Sequence, residues 1–401
     1  LTTAGEHPAR WRALAVLSVG QLLGMCTWFA GNAAAPQLAA TWGLDPARTG
    51  WLTSAVQLGF VFGTAASAAL NLPDVVSGRV LVAASALGAA LANASLTIVP
   101  GFEAALASRF ATGVFLAGVY PPAMKMAATW FRSGRGLAIG ILIGALTLGK
   151  PLPYLVATLG ATGWREVVLA VSAGSALAAV LVGTAYRDGP FAFPRRPFAW
   201  ARAGEVVRHR ATRLAVGGYL GHMWELYAMW TWLPAFLIAS AFARGASGAE
   251  AAWFANVQAF ATIGIGAAGC VWGGWMADRI GRARLVTIAM AASGACALVI
   301  GLAFGASPWL LLPIAWAWGF FVIADSAQFS ALVTEVAPPH AVGTALALQT
   351  SIGFLLTIAS IQLVPAIAEP AGWRWAFPVL AVGPALGIAA ISRLRVRPSV
   401  A

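Results

Sequence analysis

The stretch LAIGILIGALTLGKPLPYLVATL (137–159) admits two readings that lead to different folds. Within it, GALTLGKP (144–151) lacks only the final hydroxyl of the phosphate-binding pattern G-x-x-x-x-G-K-[ST]. A phosphate loop joins a strand to a helix N-terminus and uses a Ser or Thr hydroxyl on magnesium. Here Pro151 takes the hydroxyl position, and apolar residues flank the lysine on both sides. A bilayer-crossing helix needs ~20 apolar residues. The stretch therefore reads as a membrane span with Lys150 inside it, and the nucleotide reading is set aside.

The remaining sequence agrees. Of 401 residues, 60% are apolar and 9% charged, against ~45–50% and ~25% in soluble domains. So few charges cannot cover a water-facing surface, and the long apolar runs argue for helices rather than a barrel. Candidate spans fall at 13–38, 50–71, 79–99, 104–130, 137–159, 164–186, 213–241, 251–276, 284–305, 308–334, 341–366 and 373–393. The expected fold is an all-α polytopic membrane protein of twelve transmembrane helices in two pseudo-symmetric six-helix bundles. These occupy 1–186 and 213–401, joined by a basic linker, 187–212. The halves echo each other at Gly163-Trp164-Arg165 and Gly372-Trp373-Arg374, and at Trp51 with Val56-Gln57 and Trp253 with Val257-Gln258. Ordered matches of this kind argue for duplication.

With the N-terminus placed inside, 18 of the 23 arginines fall on the inner side and four on the outer, while Arg109 lies within a span. Positive charge marks the cytoplasmic side, so both termini and the linker are expected there, in a bacterial cytoplasmic (inner) membrane. The net charge of +12 is then topological and implies no nucleic-acid partner. RAGEVVRHRATR (202–213) reads either as a solvated loop or as a basic helix on anionic headgroups. The start at Leu1 points to trimming. Residues 13–35 are expected to stay as the first span, because cleavage at Ala33-Ala34-Ala35 would break the repeat. Cys26, Cys270 and Cys296 lack paired or metal-type spacing and read as packing residues. Of the 18 tryptophans, Trp11, Trp130, Trp164, Trp309 and Trp373 sit at span ends and read as interface anchors.

Three motifs carry a family resemblance. GGWMADRIGRARL (273–285) resembles the loop motif G-x-x-x-D-R-x-G-R-[RK] of the major facilitator superfamily, through Gly274, Asp278, Arg279, Gly281, Arg282 and a displaced Arg284. The corresponding first-half loop, NLPDVVSGRV (71–80), keeps Asp74, Gly78 and Arg79 with one extra residue. Asp74, Arg79, Asp278, Arg279 and Arg282 are candidate gating groups, since a carboxylate and guanidiniums at a helix junction can pair in one conformation and part in another. RFATGVFLAG (109–118) resembles the family's R-x-x-x-G pattern at Arg109 and Gly113. The Lys150 stretch resembles its glycine- and proline-rich fifth-helix motif, with lysine where a glycine usually precedes the proline. The resemblance implies a monomeric secondary transporter, not an enzyme, without cofactor or metal.

Lysine at a helix centre opposes insertion by ~2.5–3.5 kcal/mol, so an intramembrane lysine is a functional candidate. The alternative is a lysine paired with a carboxylate for packing. Lys125, near one end of span four, can snorkel instead. On a straight helix Arg109 shares a face with Tyr120 and not with Lys125, although Pro121-Pro122 can change that angle. The resemblance gives Arg109 a role in helix packing or the proton path. In GHMWELYAMWTWLP (221–234), His222, Glu225, Met229 and Trp232 share one helical face, which resembles a cavity wall of the family. Candidate substrate contacts are Lys150, Lys125, Tyr120, Trp28, Asn32, His222, Tyr227, Trp230 and Trp232. Gln57 adds a polar group in span two. Glu225, Asp325 and Arg109 are candidates for proton coupling, with Glu335 a rim charge.

The leading expectation is transport of a small anionic solute by alternating access, coupled to protons. The alternative is proton-driven efflux of hydrophobic or cationic compounds, which suits carboxylates and aromatic faces. Cu(I) uptake through Cys26, His222, Met223 and Met229 fits poorly, because the methionines face different ways. No H-E-x-x-H motif or output domain supports an enzyme or a sensor.

Overall fold

The computed structural model describes residues 7–131, 135–159, 163–191 and 199–394, and its regular elements are helical. The first span comprises α1 (Arg10–Met25) and α2 (Ala30–Trp42), and the second is α3 (Pro46–Ala69). After the short α4 (Leu72–Val75), α5 (Gly78–Ser95) forms the third span. The fourth comprises α6 (Phe102–Leu116) and α7 (Tyr120–Ala128), the fifth α8 (Arg135–Gly149) and α9 (Leu152–Thr158), and the sixth α10 (Trp164–Ala185). The linker carries α11 (Ala203–Arg208). Then follow α12 (Arg210–Ala243), α13 (Gly248–Gly264) with α14 (Gly266–Ile280), and α15 (Arg282–Val299). The last three spans are α16 (Pro308–Ala324) with α17 (Ser326–Val336), α18 (Val342–Ala371), and α19 (Val382–Ile391) after two 3₁₀ turns. Among the described residues, 11 helices are long and apolar enough to cross a membrane, or 12 when the bent α8–α9 pair counts as one span.

Local chemistry explains where helices begin. Asp45 accepts a bond from the Arg48 amide at 2.7 Å with Pro46 next to it, and Ser247 forms a capping box with Glu250. Each satisfies amides that a helix start leaves free.

The spans that break do so around the centre. Pro151 and Pro153 supply no backbone N–H, and α8 and α9 meet at 40°. The fourth span breaks at Ala117–Val119, just before Tyr120-Pro121-Pro122, so Arg109 and Lys125 do not share a straight helix. The first opens over Cys26–Phe29. The two halves of the sequence meet where α3 packs on α18 and α8 on α14. Within the first half, two glycines permit close approaches that bear on the site. A Cβ on Gly113 would overlap the Val56 carbonyl of α3, and one on Gly149 would overlap the Leu22 carbonyl of α1. The second contact seats Lys150 beside the opening in the first span.

The linker docks on protein. Glu205 of α11 meets His340 Nε2 at 2.9 Å, Arg202 donates to the His340 carbonyl, and the Ala199 amide donates to Thr344 Oγ1 at 3.1 Å. The segment expected as a solvated loop or a basic helix on headgroups is thus tied to the protein along one edge, while most of α11 stays exposed. Two expected interface anchors are also buried. Trp130 donates to Tyr186 Oη at 3.2 Å, and Trp164 packs edge-on against Trp42.

Candidate functional site

Lys150 ends α8, where the proline pair stops the helix, and only 4% of it is exposed. Its ammonium donates to Tyr227 Oη at 2.7 Å. It lies 4.7, 4.8 and 4.9 Å from the ring centroids of Trp28, Tyr227 and Trp230. Among the described residues no carboxylate stands within ion-pair distance of it. An ammonium carries three donors, and burying it unpaired costs several kcal/mol. Ring faces compensate in part, at up to ~2 kcal/mol for a desolvated contact.

The rings around it come from both halves. Trp28 packs on Phe60 at 5.2 Å and on Tyr227 at 5.6 Å, and Phe60 meets Phe354 at 4.6 Å. Tyr227 contacts Phe354 at 5.2 Å and Trp230 at 5.4 Å. The aromatic cluster thus closes the seam between the opening in the first span, α3, α12 and α18. Sequence reading missed Phe29, Phe60 and Phe354, because an apolar ring in an apolar span carries no mark of what it faces.

Several polar groups of the spans are unsatisfied, the indoles of Trp28 and Trp230 in the cage among them. Trp28 Nε1, Trp230 Nε1, Tyr154 Oη and both ends of the Gln57 amide are buried without a hydrogen-bond partner. Buried polar groups without partners are rare and call for an explanation. Four of these five atoms are donors, matching the surplus on Lys150.

Toward the face bearing the α2–α3 turn, a cavity of about 640 Å³ opens between the halves. Its lining includes Thr231, one turn beyond Tyr227 on α12, and Tyr154, which follows Lys150 across the α8–α9 break. The cavity floor therefore lies one turn above the Lys150–Tyr227 contact. Asn32 and Trp232 line this cavity rather than the cage. Asn32 Oδ1 accepts from Thr53 at 2.7 Å, and Trp232 Nε1 donates to the Ile361 carbonyl at 2.7 Å.

The face assigned to α12 from sequence needs correction. Tyr227 and Trp230 look into the cage, and Glu225, two residues before Tyr227, points ~200° away. Its carboxylate accepts from Ser293 Oγ at 2.8 Å and Trp318 Nε1 at 2.6 Å, inside the second-half bundle. His222 is not in the cage either. Its Nδ1 lies 2.9 Å from Asp325 Oδ1, at the junction of α16 and α17, and its Nε2 is buried without a partner.

Arg109 is fully buried and props open the first span. It donates to Asn93 Oδ1 at 2.6 Å and to the carbonyls of Thr27 and Trp28 at 3.0 and 2.6 Å. That grip holds Trp28 over Lys150. Tyr120 packs half-buried against the central core, and Lys125 sits half-buried on α7.

The charged loop residues pair differently from the sequence expectation. Arg282 meets Glu335 at 2.7 Å and Gln328 at 2.8 Å, tying α15 to α17. Arg279 stacks on Trp275 at 3.6 Å, and Asp278 and Arg79 are exposed. The Asp74 side chain lies outside the described residues.

A sequence model described as the Major Facilitator Superfamily matches residues 17–243 and again 215–401. Two solved structures of a bacterial homolog to the human lysosomal transporter Spinster, both inward-facing, one occupied and one unoccupied, are similar in fold. Their TM-scores are 0.67 and 0.69 at 17% and 16% identity, and each comparison covers 97% of this chain and 95% of the other. A "Probable actinorhodin transporter" of Streptomyces coelicolor is 27% identical over 181 residues, covering 42% of this chain. The match spans 30% of that relative's length.

Proposed function

We propose a small anion as the cargo of this chain, which belongs to the Major Facilitator Superfamily and is a multi-pass secondary transporter, not an enzyme. One observation carries the reading. Lys150 is a buried ammonium with a single hydrogen bond, no carboxylate partner among the described residues, and unpartnered donors around it. A site with surplus donors and a bare cation is completed by an acceptor-rich anion.

Alternating access then rocks the halves, residues 1–186 and 213–401, about the aromatic seam. Trp28 and Phe60 part from Tyr227 and Phe354 as the cage opens. The Arg282–Glu335–Gln328 cluster is our candidate for the latch on the linker face. Arginine distribution supports placing that face, both termini and the linker in the cytoplasm of a bacterium. The transporter is read as a monomer.

Protons are the proposed coupling ion. The His222–Asp325 pair is buried, bridges two spans, and sits where α16 gives way to α17. A helix junction that shifts can expose such a pair to water and then enclose it again. Glu225 is a second candidate, and Arg109 acts by holding Trp28 in place.

A second reading is proton-driven efflux of hydrophobic or cationic compounds. It is favoured by the aromatic cage and by the partial match to the probable actinorhodin transporter. The two readings separate in one experiment. Thermal stability in detergent is measured with small inorganic and organic anions and with lipophilic cations, for wild type and Lys150→Gln. An anion at ~100 times its Kd should add ~2.7 kcal/mol to wild type and nothing to the variant. Equal stabilisation of both proteins by lipophilic cations, with no anion active, assigns the chain to efflux.

A further inference from the structure

We propose that the cargo is an aromatic monoanion, and that the cavity above the cage is where its ring first docks. The proposal deepens the anion reading and rests on it. Three observations name the class.

The first is charge. Lys150 is the one cation at the cage among the described residues, and Arg109 spends its guanidinium on Asn93 and two carbonyls. One ammonium balances one negative charge. A dianion would carry an uncompensated charge into a site sealed by rings.

The second is volume. At about 640 Å³ the cavity falls in the range of pockets that hold organic ligands. An inorganic anion needs far less room and would leave most of the lining unused.

The third is the lining. Among the described residues it contains no charged side chain, and it includes Trp164, Trp232, Trp253, Trp373 and Tyr154. Thr231 and Tyr154 are its hydroxyl-bearing residues nearest the cage; the Thr231 hydroxyl donates to the Tyr227 carbonyl at 2.6 Å, and the Tyr154 hydroxyl is buried without a partner. Flat rings with a few hydroxyls bind a flat apolar body by edge and face contacts and orient one polar end. The polar end then points at Thr231 and Tyr154, one turn of α12 above the Tyr227–Lys150 contact. Translocation needs only that the seam part and the anionic group descend that turn.

The test uses the full chain in detergent with four probes. These are 2-naphthoate, decalin-2-carboxylate as its saturated counterpart, naphthalene-2,6-dicarboxylate as the dianion, and nitrate. Binding is measured by titration calorimetry and by thermal shift on wild type, Lys150→Gln, Trp232→Leu and Trp232→Phe. Naphthoate should bind about ten-fold more tightly than the saturated acid, the difference expected from one or two aromatic contacts. It should also bind at least ten-fold more tightly than the dianion. Trp232→Leu should weaken naphthoate about ten-fold, and Trp232→Phe, which keeps a ring, should restore most of that loss.

Equal affinity for naphthoate and the saturated acid, both lost in Lys150→Gln, overturns the aromatic class and leaves the anion reading intact. Binding of nitrate or the dianion in preference to naphthoate does the same. Naphthoate binding that survives Lys150→Gln undiminished removes the anion reading, and the proposal with it. No response to naphthoate at millimolar concentration also overturns the proposal.

Discussion

Replacing Arg109 with glutamine tests whether the opening in the first span is held from across the bundle. The guanidinium makes three hydrogen bonds, to Asn93 Oδ1 and to the carbonyls of Thr27 and Trp28. A glutamine amide is shorter and neutral and can keep at most one of them. Charge-assisted bonds contribute ~1.5–3 kcal/mol each, so losing two removes ~3–6 kcal/mol. Removing a buried cation that has no carboxylate partner among the described residues returns part of this, leaving a net destabilisation of about 2–3 kcal/mol. The second consequence is local. Released at its carbonyl, Trp28 should drift from Lys150, and naphthoate or any other Lys150-dependent ligand should bind about ten-fold more weakly. Denaturation in detergent and ligand titration measure the two effects on one preparation. Stability within about 0.5 kcal/mol of wild type, together with unchanged affinity, would refute the reasoning. A variant of normal stability and affinity that lost only proton-driven uptake would move Arg109 into the proton path.

Other substitutions follow from the same geometry. In reconstituted vesicles, Asp325→Asn and His222→Gln should abolish accumulation driven by a proton gradient while keeping substrate exchange at half or more of the wild-type rate; loss of both activities would make the pair structural. Glu225→Ala strands the Trp318 donor and leaves Ser293 only its 3.2 Å bond to the Met290 carbonyl, and should cost about 1–3 kcal/mol in thermal unfolding. Glu225→Gln keeps one acceptor and should cost less than half as much. Gly149→Val forces side-chain atoms onto the Leu22 backbone and should destabilise by ~1–3 kcal/mol or more, with ligand affinity falling in parallel.

Much of the architecture is legible in the order of residues alone. Apolar runs of bilayer length, arginines crowded on alternate loops and a half-chain repeat lead to twelve spans in two bundles. The motif at Arg109 and Gly113 points to a close helix contact, and α6 does pack on α3 through Gly113. Lys150 announces itself because a lysine between apolar runs is expensive wherever the helix turns it. Proline next to it marks the break in the span.

Which residues meet was not legible. In a soluble helix, alternation of apolar and polar residues tells the buried face from the wet one. In a bilayer both the lipid-facing and the bundle-facing sides are apolar, and that contrast is erased. Phe60 and Phe354 therefore look like any other span residues until α3 and α18 bring their rings to 4.6 Å. The same loss of contrast put Glu225 on the cavity wall by spacing alone, whereas the packing of α15 and α16 turns it inward and gives the wall to Tyr227 and Trp230. His222 and Asp325, about a hundred residues apart, become a pair only through the contact of α12 with α17. Sequence by itself determined that charges lie inside the membrane, because their cost does not depend on neighbours. Tertiary structure alone decided which charges are paired and which is left bare, because in hydrocarbon a partner is defined by contact and not by periodicity.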